Sequence, residues 1–311
     1  MAQATKKQHY VPQFYLNAWG GAKKHQIIVY DKELDLKRIN SIKDVASERF
    51  FYDISPKEIF SDKFIDCLCK KGLVLNKNEV PQLIERAYSE EVEAPFSVLL
   101  KKILISARDA SPWHIKNCFF IKEDDKELFS AFLALQYIRL KHVRTGIQAT
   151  ANTVMEFATT LGASLSEITK YSVTDEIAKK THIQMMLDAK NLSMLTACFF
   201  RLVWILGINR TKQKFFTSDN PIVSWAHIYN SIYSMNGLAS KGVEVFFPLS
   251  PDAILIMFDG SYHKQALPHE RNYIEISDNA LINRYNSLIA FHADRFVFSS
   301  EWDMSLLEST K

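Results

Sequence analysis

Lys214–Val223, KFFTSDNPIV, is the stretch where the pattern of the chain changes. Up to Asn209 the middle of the sequence reads as helices. From Phe215 onward, short apolar runs alternate with turn residues. The stretch itself reads as a buried strand through Phe215 and Phe216, a polar knot Ser218-Asp219-Asn220-Pro221, and a strand resumed from Ile222. Polar groups at the end of a core strand are where sites are commonly built. Pro221 fixes its own φ and restricts Asn220, so the knot is suited to holding side chains rigidly. Asp219 is thus a candidate catalytic residue, orienting a histidine or holding a divalent metal, and Asn220 a candidate substrate contact. The simpler alternative is that both Asx side chains cap a turn.

Outward from the knot, Phe215–Thr217, Ile222–Trp225, Val243–Phe247, Ala253–Phe258, Tyr273–Ile276 and Arg295–Ser299 read as strands. One helix, Asp278–His292, is predicted among them, capped by Ser277 or Asp278. Pro248-Leu249-Ser250-Pro251 reads as a rigid corner between two of these strands. Before the knot, Leu192–Leu206 is apolar nearly all round except for Arg201, and it predicts a central buried helix ended by Gly207. Ile147–Leu161 and Asp175–Ala189 are amphipathic. Glu127–Val143 carries a broad apolar face into which Gln136 and Arg139 also fall. A buried Arg needs a partner, so Arg139 with Gln136 is either a tie between helices or an anion grip at the base of a pocket.

Near the N-terminus, Gln26–Tyr30 and Leu36–Ile39 predict a hairpin turning at Asp31–Asp35, and Phe50–Tyr52 a third strand. Ser55-Pro56-Lys57-Glu58 forms a capping box opening a helix to about Lys71. Val80–Glu93 and Pro95–Ile105 predict two more helices, and Ser111-Pro112 the start of a short one. The order of strands, then helices, then strands with a helix is that of an α+β fold. We expect a central helical bundle with an antiparallel or mixed sheet formed by the N-terminal hairpin and the C-terminal third. No linker composition divides residues 1–311, so one unit is expected, with strands over 1–53, helices over 54–209 and a β-rich region over 210–311.

Composition sets the class. The chain has 311 residues, 47% hydrophobic and 23% charged, enough to bury a large core. Its net charge of +3 is too mild to single out nucleic acid as a partner. The four cysteines, Cys67, Cys69, Cys118 and Cys198, lack a second pair at zinc spacing and read as reduced core thiols. Leu192–Leu206 falls short of the ~20 apolar residues that span a bilayer. A cytoplasmic location without membrane association is expected. Phosphate-binding glycine loops, H-E-x-x-H and G-x-S-x-G are all absent.

The stretch QHYVPQFYL, Gln8–Leu16, is dense in aromatic and polar side chains. His9 titrates near neutrality and is a candidate general acid or base, with Gln13 beside it as a candidate substrate contact. A packing histidine is the alternative. His263 and His269 lie in a polar stretch and read as solvated.

With VASERFFYD (Val45–Asp53), LALQYIR (Leu133–Arg139), FFTSDNPIV (Phe215–Val223) and FPLSP (Phe247–Pro251), that stretch makes the chain resemble the bacterial family catalogued as domain of unknown function 4238. One departure is Leu16-Asn17-Ala18-Trp19, where the family usually reads Leu-Arg-Asn-Phe. The resemblance implies a bacterial, soluble, intracellular protein and supplies no catalytic residue or cofactor.

Two functions follow as expectations. The first is a phage-defence or toxin-type hydrolase of nucleic acid or nucleotides. There His9 is the acid/base, Asp219 orients it or holds a divalent metal, and Arg139, Gln136, Gln13 and Asn220 grip the substrate. The second is a non-catalytic sensor or protein-interaction module in which the polar clusters fix the fold, with a protein partner or a second copy left open. Convergence of His9, Arg139 and Asp219 on an open pocket favours the first. Sealed and satisfied groups favour the second.

Overall fold

The computed structural model describes residues 7–20, 25–52, 70, 88–111, 113, 115, 118–162, 164, 172–229 and 236–308. The helix predicted from Ser55 and most of Val80–Glu93 lie outside the described residues.

Strand β1 (Lys7–His9) pairs antiparallel with β4 (Ser47–Arg49). Pro12 is extended and hands the chain to a short helix, α1 (Gln13–Leu16), followed by a 3-10 turn at Asn17–Trp19. The hairpin forms as β2 (Gln26–Asp31) and β3 (Leu36–Ser41). Residues 50–52 form a turn, with Phe50 at φ 56, and the third strand lies one step earlier, at β4.

The helical middle comprises α2 (Ala94–Arg108), α3 (Glu123–Ile138), α4 (Lys141–Thr160), α5 (Asp175–Leu187) and α6 (Ala189–Phe200). Glu123, Asp124 and Asp125 fill the first turn of α3, where the helix dipole favours negative charge. Helix α3 stops at Ile138, so Arg139 caps its end and Leu140 breaks it from α4. Helix α6 packs along α3.

The predicted helix Leu192–Leu206 is the main correction. Helix α6 ends at Phe200, and Val203–Asn209 is a strand, β5, buried at every position. A strand covered on both faces reads as a continuous apolar run, the same signal as a buried helix. Gly207 stops no helix. It lies within β5, and a Cβ there would meet Ile276 Cδ1 at 2.6 Å and Ile254 Cγ2 at 3.0 Å. Arg201 falls at the exposed end of α6, where its Nη2 donates to the Leu238 carbonyl at 3.2 Å.

The C-terminal third adds β6 (Thr217–Ser218), β7 (Val223–Ala226), β8 (Val243–Ser250), β9 (Ala253–Phe258), β10 (Tyr273–Ile276), helix α7 (Asn279–His292), β11 (Phe296–Ser299) and a last turn of helix, α8 (Ser305–Glu308). The Asp278 side chain caps α7 by accepting from Ala280 N. Two larger sheets result. A five-stranded mixed sheet has the order β10-β5-β9-β8-β7, with β10 parallel to β5 and the other pairs antiparallel. A four-stranded antiparallel sheet has the order β3-β2-β11-β6, so the N-terminal hairpin does join C-terminal strands. The fold is α+β.

Three of the motifs meet in the core. The Tyr15 ring stacks on Phe247 at 4.8 Å, and its hydroxyl bonds both Thr217 Oγ1 and the Pro248 carbonyl at 2.7 Å. Trp19 Nε1 donates to the Phe215 carbonyl at 3.0 Å. Buried aromatic rings with satisfied polar tips anchor the N-terminal segment between the sheets. The largest core cluster runs from Tyr10 through Leu133 to Leu255, drawing on all three regions of the sequence.

Candidate functional site

The backbone of Tyr10 is the point on which the N-terminal candidates converge. Gln136 Nε2 and Arg139 Nε both donate to its carbonyl, at 2.9 and 3.0 Å. Arg139 Nη1 also donates to Glu93 Oε1 at 2.6 Å, and Gln136 and Arg139 are buried. A buried guanidinium must be paired and hydrogen-bonded, and here a carboxylate and a main-chain carbonyl serve. Both side chains thus fasten the end of α3 to the segment after β1.

His9 lies at the edge of this group, its Nδ1 3.4 Å from Gln13 Nε2. Burial, with the Lys7 and Arg139 charges, lowers its pKa from the ordinary histidine value, while the Lys43 backbone and Glu93 pull it back up. The ring therefore favours its neutral form.

Asp219 is engaged elsewhere. Its Oδ1 accepts from Asp294 N at 2.9 Å, and its Oδ2 from Arg295 N and Phe296 N, both at 2.8 Å. Its own N donates back to the Phe296 carbonyl at 3.0 Å. The carboxylate thus clamps the start of β11 beside β6. Burial, with the Asp294 charge adding to it, pushes its carboxyl up to about 7, against the pull of the three N–H donors. Asn220 Nδ2 donates to the His292 carbonyl at 2.9 Å, and its N to Ser218 Oγ at 3.1 Å. Asp219 and Asn220 thus fasten the knot to the end of α7 and the start of β11.

Beside these ties lies an open cleft of about 460 Å³. Tyr10 and Phe296 supply aromatic surface, Ser47 and Thr145 hydroxyls, and Glu33, Glu48, Asp219 and Asp294 negative charge. The two cations in the lining are already paired: Lys141 with Glu48 at 3.2 Å, Arg295 with Asp31 and Glu33 at 2.8 Å. Burial raises the Asp294 carboxyl, opposed by Lys141, Lys32 and the His142 backbone. Burial and the carboxylates of Asp219, Glu48 and Asp294 push the Tyr10 phenol well above its usual value, so it stays a neutral hydroxyl. Ser47 Oγ has no hydrogen-bond partner among the described residues.

The predicted residues therefore form two groups. His9, Gln13, Gln136 and Arg139 gather on one side of residue 10, while Asp219 and Asn220 belong to the strand clamp beside the cleft. The residues that line the cleft with them went unmarked in the sequence. Asp294, Glu48 and Lys141 are ordinary surface types, and only the fold brings them together. A second unforeseen network lies at Glu244. This buried carboxylate accepts from Arg284 Nη2 at 2.7 Å, from Tyr285 Oη at 2.8 Å, and lies 2.7 Å from His227 Nε2. His263, expected in solvent, is buried against the His227 ring at 4.7 Å. Among the described residues no group of three His, Cys, Asp or Glu is placed to hold a metal ion. No helix among them is long and apolar enough to cross a membrane.

These features define an α+β protein in which buried polar ties frame a small acidic cleft. The chain belongs to the family described as protein of unknown function (DUF4238), whose family model matches residues 7–303. No curated protein and no solved structure matches the chain.

Proposed function

We propose that the protein is a binding module whose ligand enters the cleft beside Tyr10 and carries a positively charged nitrogen. One observation carries this reading: Gln136, Arg139, Asp219 and Asn220, which stand out in the sequence, are each held by backbone atoms, as with Asp219 and its three N–H donors. What remains toward the cleft is Asp294 and the Tyr10 hydroxyl. With both lining cations already paired, a polyphosphate would meet uncompensated carboxylates, whereas an amine or guanidinium would meet carboxylate and aromatic surface. The test is thermal unfolding of the purified protein with spermidine, agmatine and ATP. Spermidine or agmatine should raise Tm, by about 2.7 kcal/mol of added stability at a hundred times its Kd. Asp294→Asn should abolish the shift. A shift with ATP and none with either amine would overturn the reading.

The hydrolase reading, acting on nucleic acid or nucleotides in a phage-defence or toxin setting, is favoured by a different observation. Asp219 and Asp294 are interacting carboxyls, both raised, beside an open cleft. Such a pair resembles the acid/base partners of hydrolytic sites. Incubation with DNA, RNA and nucleotides, with and without divalent metals, tests it. Turnover that Asp294→Asn removes and His9→Ala spares would place the chemistry on the carboxyl pair.

A further inference from the structure

We infer that the pocket between the start of α7 and the end of β11 is a second binding site, and that it takes a neutral sugar. Its volume is about 730 Å³, within the roughly 300–1,000 Å³ of small-molecule sites and larger than the cleft beside Tyr10. The two lie at opposite ends of β11, where Phe296 lines the cleft and Ser299 the pocket. One wall is the connection from β5 to β6, Lys212 to Phe216, and another runs from Ser299 to α8. Asn279 and Asn283 of α7 join them.

Side chains fix the main chain of both walls. The Gln213 carbonyl accepts from Asn209 Nδ2 at 2.7 Å and from Thr211 Oγ1 at 3.0 Å. The buried Asn286 grips the chain on either side of Phe215, donating to the Lys214 carbonyl at 2.9 Å and accepting from Phe216 N at 2.8 Å. Ser299 Oγ accepts from Glu301 N, and Asp303 Oδ1 from Ser305 N, both at 3.1 Å. Walls held in this way lose little freedom on binding. Between them, Gln213 Nε2 donates to Asn283 Oδ1. The pair keeps an unused acceptor, Gln213 Oε1, and an unused donor, Asn283 Nδ2, neither with a partner among the described residues. Exchanging O and N in both amides leaves the same donor beside an acceptor.

This chemistry selects the ligand. Lys214 is paired with Asp252 at 2.6 Å, whereas Lys212, Glu301 and Asp303 make no ion pair among the described residues. A polyphosphate would meet the Glu301 and Asp303 carboxylates, and a polyamine would meet both lysines. A neutral ligand meets neither penalty. A sugar hydroxyl both donates and accepts, so one ring can donate to the carboxylates, accept from Lys212 and do both at the Gln213–Asn283 pair. Phe216 and Leu306 supply apolar surface for the C–H face of the ring. A peptide group has one N–H and one C=O, which match the amide pair and leave the carboxylates and Lys212 unanswered.

The test is saturation-transfer NMR on the full chain with maltose, trehalose and N-acetylglucosamine, and with trialanine as the peptide probe. Saturation should pass to at least one of the sugars and not to trialanine. Asn283→Ala, which breaks the amide pair, should weaken that sugar's affinity about tenfold. Glu301→Ala, at an exposed position, should weaken it by a similar factor, which keeps the test intact should Asn283→Ala fail to fold. An absence of transfer to all of the sugars would overturn the inference, as would binding that withstands both variants. Transfer to trialanine that Asn283→Ala removes would overturn it in favour of a peptide.

Discussion

Replacing Asp219 with Asn separates a strand clamp from a turn cap. A turn cap needs one acceptor, and Asn serves nearly as well as Asp. The clamp needs three: Asp219 Oδ1 accepts from Asp294 N, and Oδ2 from Arg295 N and Phe296 N. An Asn side chain has one acceptor oxygen. Placed where Oδ2 stands, it keeps two bonds and turns its amide nitrogen toward the Asp294 N–H, donor against donor. One lost bond with an unsatisfied buried donor costs about 1–3 kcal/mol, partly offset by removal of a buried charge. Melting should fall by about 1–5 °C. Asp219→Ala, which loses all three bonds, should fall further. Calorimetry at pH 7 ranks the three proteins, and an Asn variant as stable as the wild type would refute the clamp. The pH dependence adds a second check. Because the folded carboxyl is raised from 3.8 to about 7, its contribution to stability is full below pH 3.8 and is lost as pH rises through 7. The gap between wild type and Asn should therefore narrow from pH 4 to pH 7. A widening gap would refute the burial argument.

Other outcomes follow from the same structure. Burial lowers His142 and His182 from 6.5 to about 4, so their neutral forms support the fold above pH 6.5, and that support is lost as pH falls through 4. Urea midpoints should drop between pH 6.5 and 4, and His182→Gln, which keeps a donor for the Ile138 carbonyl, should drop less steeply. Arg139→Ala leaves Glu93 without its cation and should cost about 3–5 kcal/mol by urea unfolding, while Arg139→Met combined with Glu93→Gln should recover much of it. Arg201→Ala, at the exposed end of α6, should stay within about 0.5 kcal/mol of wild type. Limited proteolysis should yield no stable folded fragment ending near Asn209, since β5 within 203–209 pairs with both β9 and β10.

The sequence by itself determined the α+β order, the N-terminal hairpin, and the helix ending at His292 with Ser277 or Asp278 as its cap. Each rests on a local period or a local cap, and both are written within a dozen residues. It also marked Gln136 and Arg139 as buried and in need of partners, because a charge on an apolar face signals itself. Tertiary structure decided the rest. Val203–Asn209 became a strand because β9 and β10 flank it, and an apolar run carries no record of its neighbours. Asp219 found its donors at 294–296, some 75 residues away, and the cleft gathered Tyr10, Glu48, Lys141 and Asp294 from four distant segments. Side-chain types name what a residue can bond, and only the path of the chain decides what stands within 3 Å of it.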